Sequence, residues 1–327
     1  MNKGAHSSFQ YVLPPLFFII FLFFGRYHIS PQDLIHATQQ DAAWILFYKV
    51  RLPRVLIAMF VGAALSAAGV ALQGISRNPL VGPEILGVSS GAGFGAACAI
   101  LFLGNNMLSI QLTSFLFGLL AVMISYSVSK SLREYGSSTL TLILAGISIS
   151  AVFSALISIL KYVADPYDDL PQIVYWLMGS FAAVTWHNAF NTLPGLIIGI
   201  FLLLLLRWRI NILSLGQEEA RALGINYERN RILLISAATL ATAAAVSISG
   251  IISWVGLIVP HITRKLVGPD HALLMPASLS LGAVFMAGCD TIARTLYTFE
   301  IPIGIITSLV GAPLFIIMLK KGGRRIW

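Results

Sequence analysis

Apolar stretches follow one another from end to end of this chain of 327 residues, and no polar segment between them is long enough to form a soluble domain. A helix that crosses a bilayer needs roughly 20 mostly apolar residues, fewer where neighbouring helices shield it. Counted on that basis, ten spans are predicted, over residues 9–25, 54–75, 84–103, 111–130, 139–162, 193–208, 230–250, 254–266, 271–294 and 304–320. The eighth is too short to cross unaided and is expected inside the bundle, where protein rather than lipid surrounds it. The charged fraction agrees: 10% of the residues are Asp, Glu, Lys or Arg, against roughly 25% in soluble domains. The expected fold is all-α, a single membrane domain over residues 1–327.

The first apolar run follows Lys3 in the manner of a signal peptide, but Gly25-Arg26-Tyr27 offers no small-residue cleavage site, so it is read as a retained span. Orientation follows from Lys and Arg, which short cytoplasmic loops retain. With the N-terminus inside, the inner set is Lys3, Arg77, Lys130, Arg133, Arg207, Arg209, Arg221, Arg229, Arg231, Arg264, Lys265, Lys320, Lys321, Arg324 and Arg325, and the outer set is Arg26, Lys49, Arg51, Arg54, Lys161 and Arg294. Fifteen against six supports an even number of spans with both ends cytoplasmic. The net charge of +8 is largely this topology signal and not a nucleic-acid footprint. Cys98 and Cys289 lie in apolar runs, where a free Cys behaves as a small hydrophobe.

Small residues cluster at 62–69 and 89–97, as helices packing closely in lipid require. Gly91, Gly93 and Gly95 imitate a nucleotide-binding glycine loop but lack the preceding strand and soluble βαβ unit it needs. No Gly-x-x-x-x-Gly-Lys-Ser/Thr occurs, so a phosphate-cradling ATPase loop is absent from the sequence. Ionisable residues are read as confined to span ends and loops: Asp290 and Arg294 sit one turn apart near an outer end and are expected to pair, and the six histidines fall at span ends or in loops in no metal-binding spacing. The longest inner stretch contains a short helix over 217–223 stopped by Gly224. Spacing alone leaves it open whether this is a handle for a partner or an ordinary capped loop.

The run from Leu72 to Ala92, with Arg77-Asn78-Pro79-Leu80 and Gly87-Val88-Ser89-Ser90-Gly91, resembles the signature of the FecCD family, permeases of ABC importers for iron-siderophore, haem and vitamin B12. Arg51-Leu52-Pro53-Arg54, the segment from Tyr175 to Phe181, Leu215-Gly216 through Leu223-Gly224, Val255 through Asp270-His271, and Ile301 through Pro313 correspond in order, so the resemblance covers nearly the whole chain. It implies a homodimer of ten-span subunits in the bacterial inner membrane, with two ATPase subunits inside and a periplasmic binding protein outside. ATP and Mg belong on the ATPase partner; no cofactor, catalytic residue or metal is expected on this chain. It also implies that spans two to five and seven to ten are inverted copies.

By the same resemblance, the segment at about 209–229 is the ATPase coupling element, carried by Leu215, Gly216, Glu218, Glu219, Ala220, Arg221, Leu223 and Gly224. Arg51, Arg54 and Arg294 match a binding-protein docking cluster, and Asn78, Pro79, Leu80 with Ser138, Thr139 and Leu140 match two loops that constrict the cytoplasmic gate. The family mostly carries metal chelates, with molybdate-type oxyanions a further substrate class. The competing classes are a secondary transporter, which requires a coupling-ion site on broken helices, and a membrane-embedded enzyme.

Overall fold

A computed structural model of the chain describes residues 3–104, 106–132 and 138–322, and among them every regular element is helical. In order these are α1 (Lys3–Phe23), α2 (Pro31–His36), α3 (Ala42–Trp44), α4 (Leu52–Ser76), α5 (Val88–Phe102), α6 (Met107–Ser131) and α7 (Ser138–Val163). There follow α8 (Asp169–Met178), α9 (Trp186–Leu213), α10 (Gln217–Ala222), α11 (Tyr227–Ser249), α12 (Val255–Val267), α13 (His271–Thr295) and α14 (Ile303–Gly322). Each of the ten predicted spans has its helix: α1, α4 to α7, α9 and α11 to α14. Of the inner cations, Arg133, Arg324 and Arg325 lie outside the described residues.

The spans sort into an inner and an outer set. The stretch containing α4 is 83% buried over its most apolar window, whereas that of α7 is 28% buried and displays Leu144, Ile147, Val152 and Ile159 outward. Small residues decide which helices go inside: a Cβ added at Gly62 would lie 2.1 Å from the Gly282 carbonyl oxygen, so α4 and α13 touch backbone to backbone. The predicted packing role of 89–97 holds as well, since Gly91 and Gly95 face the Phe117 and Thr113 carbonyls of α6.

The neighbours of the helices follow the exchange that a repeat of the implied kind requires. Exchanging α4, α5, α6 and α7 for α11, α12, α13 and α14 turns α4·α13 into α11·α6, α4·α12 into α11·α5 and α5·α6 into α12·α13, and all of these pairs pack together. In each half the second helix is short. α12 has 13 residues and follows the non-helical segment 250–254, and α5 has 15 and follows 77–87, which enters the bundle without crossing it.

Three features were not legible as spans. α4 is the inner part of a continuous helix from Ala42 to Ser76, whose section Ile45–Arg51 is π-helical. α8 lies outside, and its Gly179 carbonyl accepts from Ile303 N–H at 2.9 Å while Ser180 N–H donates to the Ser249 carbonyl at 2.8 Å. That pair of hydrogen bonds ties the outer ends of α8, α11 and α14 together. α2 is a short outer helix closed by a capping box between Ser30 and Asp33, whose carboxyl is held below its usual range chiefly by the Ser30 backbone N–H.

Candidate functional site

The predicted short helix on the inner face exists and is closed as expected. Gly224 sits at φ +74°, its N–H donates to the Arg221 carbonyl at 2.9 Å, and Ile225 N–H donates to the Ala220 carbonyl at 2.9 Å. These two bonds form a Schellman motif, which requires the left-handed residue that Gly supplies. Gly216 at φ +135° opens the element. Leu215, Glu218, Glu219, Arg221 and Leu223 are exposed and form one outward face.

Ala220 requires a correction. The resemblance groups it with the residues that meet a partner, yet it is fully buried within the chain, where α10 packs on α9 and α11. A six-residue helix is marginal on its own, so this methyl is what seats it. The face available to a partner is the opposite one.

The outer arginines also stand differently from the docking reading. Arg51, Arg54 and Arg294 are 6%, 6% and 7% exposed. Arg54 Nε and Nη2 reach Asp290 at 3.0 and 2.9 Å, and Nη1 reaches Glu300 at 2.8 Å. The expected Asp290–Arg294 pair is present, with Nε 3.6 Å from the carboxylate. Arg51 donates to the Leu22 and Phe23 carbonyls at 3.2 Å and to that of Tyr27, and Arg294 donates to the Phe21 carbonyl at 2.7 Å. Two guanidinium groups thus cap the C-terminal carbonyls of α1, which have no partner within the helix. In the protomer these three side chains lock α1, α4 and α13 together. The exposed outer cations are instead Arg26 and Lys49.

The first of the two segments that resemble the gate loops is a compact turn. Arg77 takes φ +48° at the end of α4, Asn78 N–H returns to the Gln73 carbonyl at 3.2 Å, and Leu80 N–H donates to Asn78 Oδ1 at 2.9 Å. Leu80 is 48% exposed and Leu140, in the first turn of α7, is 52% exposed, with Asn78, Pro79 and Thr139 half-buried. The Ser138 side chain lies outside the described residues.

The segment after this turn carries a group that sequence reading missed. Residues Pro83–Leu86 form a 3-10 turn at depth: a Cβ on Gly256 would lie 2.5 Å from Pro83 Cδ and 3.0 Å from the Leu65 carbonyl oxygen, and Ser125 Oγ donates to the Leu86 carbonyl at 3.1 Å. Leu65 precedes the end of α4 at Ser76 by eleven residues, about 16 Å at 1.5 Å per residue. Glu84 is therefore an ionisable residue well inside the bundle, with its carboxylate folded back beside Gly82. The expectation that such residues are confined to span ends fails here. Residue 84 reads as the start of a span because hydropathy does not show that the segment re-enters before the helix begins.

Comparison with known proteins gives the following. The model of the FecCD transport family matches residues 13–321. The chain is 42% identical over 322 residues to the molybdate import system permease protein MolB of Haemophilus influenzae, covering 93% of each. It is 36% identical over 304 residues to the hemin transport system permease protein HmuU of Yersinia pestis, covering 91% of this chain and 90% of that one. A solved structure described as an inward-facing conformation of a metal-chelate type ABC transporter superposes with a TM-score of 0.87 at 40% identity, covering 98% of this chain and all of that one.

Proposed function

This chain belongs to the FecCD transport family, the membrane permeases of ABC importers, and from that premise we propose that two copies line one pathway, with an ATPase subunit docked on each inner face and a binding protein on the outer. ATP and Mg are held by the ATPase subunits. The cargo is a metal chelate or a molybdate-type oxyanion, and the binding protein selects it.

The observation that carries the reading is the polarity of α10. Its buried Ala220 faces the permease and Leu215, Glu218, Glu219, Arg221 and Leu223 face outward, so the element is anchored on one side and offered on the other. Closure of the nucleotide sites would push on that outward face and move α9 and α11, between which α10 is strung. We assign the gate to Asn78, Pro79, Leu80, Ser138, Thr139 and Leu140, whose leucines are exposed in the protomer and would meet their counterparts in a second copy.

The test is uptake into proteoliposomes containing the permease and its ATPase. Binding-protein-dependent ATP hydrolysis and uptake are expected together, and neither with the permease alone. Uptake driven by an ion gradient without the ATPase would favour a secondary carrier, for which Glu84 would be the coupling residue.

A further inference from the structure

The inner ends of α4, α9, α12 and α13 border a half-open cavity of about 490 Å³ beside the entry to α10. Buried polar atoms in native proteins are nearly always hydrogen-bonded. Three atoms in the walls of this one are buried and have no partner: His261 Nε2, His271 Nε2 and Arg264 Nη1. Both histidines are more than nine-tenths buried, at 6% and 7% exposed.

The walls are held in place. Arg264 Nη2 donates to Gln73 Oε1 at 3.1 Å, and Gln73 Nε2 lies 3.3 Å from the Gly256 carbonyl. Asn211 Oδ1 accepts from the His271 backbone N–H at 2.9 Å, and His271 Nδ1 lies 2.7 Å from the same oxygen. Asn211 Nδ2 donates to Asp270 at 2.7 Å. Asn211 Oδ1 is thereby fixed as the acceptor and His271 Nδ1 as the donor, and the ring is held in place.

The charge is one-sided. Arg77, Arg264 and Lys265 line the cavity. The adjacent carboxylate, Asp270, is occupied by the Ala272 backbone N–H and Asn211, which hold it below its usual range. Three cationic side chains around one pocket suit a tetrahedral oxyanion, whose bare oxygens accept from guanidinium and ammonium groups.

We propose that this cavity binds a phosphate-class oxyanion and that its occupant acts on the coupling segment through Arg77. Arg77 Nη1 donates to the Leu215 carbonyl at 3.3 Å, and Ser214 also lines the cavity, so the ligand competes for the guanidinium that holds the start of that segment. The second clause rests on α10 being the coupling element; the first does not.

The test measures binding directly, on the delipidated permease assembled with its ATPase subunits, by titration with inorganic phosphate. One phosphate per permease chain is expected. Removal of a charge-assisted contact should weaken it roughly tenfold in Arg264→Gln and about two- to fivefold in Lys265→Gln, whose side chain is exposed and dispensable for packing. Native mass spectrometry before delipidation identifies the natural source. A phospholipid that co-purifies, is displaced by phosphate and is reduced in both variants supports the site with a lipid headgroup as its ligand. Absence of both ligands, or binding that survives both substitutions, overturns the proposal, whereas failed ATP-driven uptake with intact phosphate binding would count against the coupling reading alone.

Discussion

Asp290→Asn is the sharpest probe of what the outer arginines do. The carboxylate is 1% exposed and receives three contacts from Arg54, at 2.9, 3.0 and 3.2 Å, with Arg294 Nε at 3.6 Å. Asn preserves the shape and one acceptor but removes the charge that two buried guanidinium groups face. Breaking a buried ion pair by removing one partner costs about 3–5 kcal/mol, whereas an exposed pair is worth about 0–1 kcal/mol. Because Glu300 still neutralises part of Arg54, the expected loss is near the low end, about 3 kcal/mol, or roughly a hundredfold in the folding equilibrium. Denaturation of the detergent-solubilised permease, followed by tryptophan fluorescence, measures it. Arg54→Met combined with Asp290→Leu should recover only part of the loss, since apolar replacement of a buried pair is often neutral but Arg294 still lacks its counter-charge. A stability change under about 0.5 kcal/mol, accompanied by weakened binding-protein affinity, would refute this reasoning and restore the docking role.

The two faces of α10 should separate in the same way. Ala220→Arg forces a cation into a fully buried position and should cost several kcal/mol locally, unseating the helix and losing the ATPase while the permease still inserts. Glu219→Lys, on the exposed face, should leave permease stability within about 0.5 kcal/mol and impair ATPase retention in pull-down. Gly224→Val should cost roughly 1 kcal/mol or more through φ alone, because no atom lies within 4 Å of the new Cβ. Gly224→Asn, which tolerates the left-handed region, should be nearly silent in the same uptake assay.

How far the sequence discloses this fold depends on what generates each feature. The ten spans and the interior position of the short α12 were legible because hydropathy and length act locally. The closing Gly224 was legible because helix termination is a few-residue event. The direction of Ala220 was not, since a short helix between two loops carries no periodicity long enough to point it. The arginines were misplaced for a related reason: charge near a span end announces the membrane boundary but not whether the side chain turns outward or back onto the carbonyls of α1. Glu84 lay hidden because the depth of residues 77–87 is set by the packing of Pro83, Gly256 and Leu65, three positions distant in the chain.

The shortness of α12 has a consequence for how the molecule is made. Thirteen residues extend about 20 Å against a hydrocarbon layer of about 30 Å, and Pro260, His261, Arg264 and Lys265 lie among them. As this segment leaves the ribosome, the insertion machinery meets a stretch too brief and too polar to be partitioned into lipid by itself. Its stable placement must wait for α13, so in a nascent chain ending near Gly268 α12 would not hold its place in the membrane. The topology of the last quarter of the protein is thus settled after synthesis has passed it, and a mutation that slows or weakens α13 would misplace a helix it does not belong to.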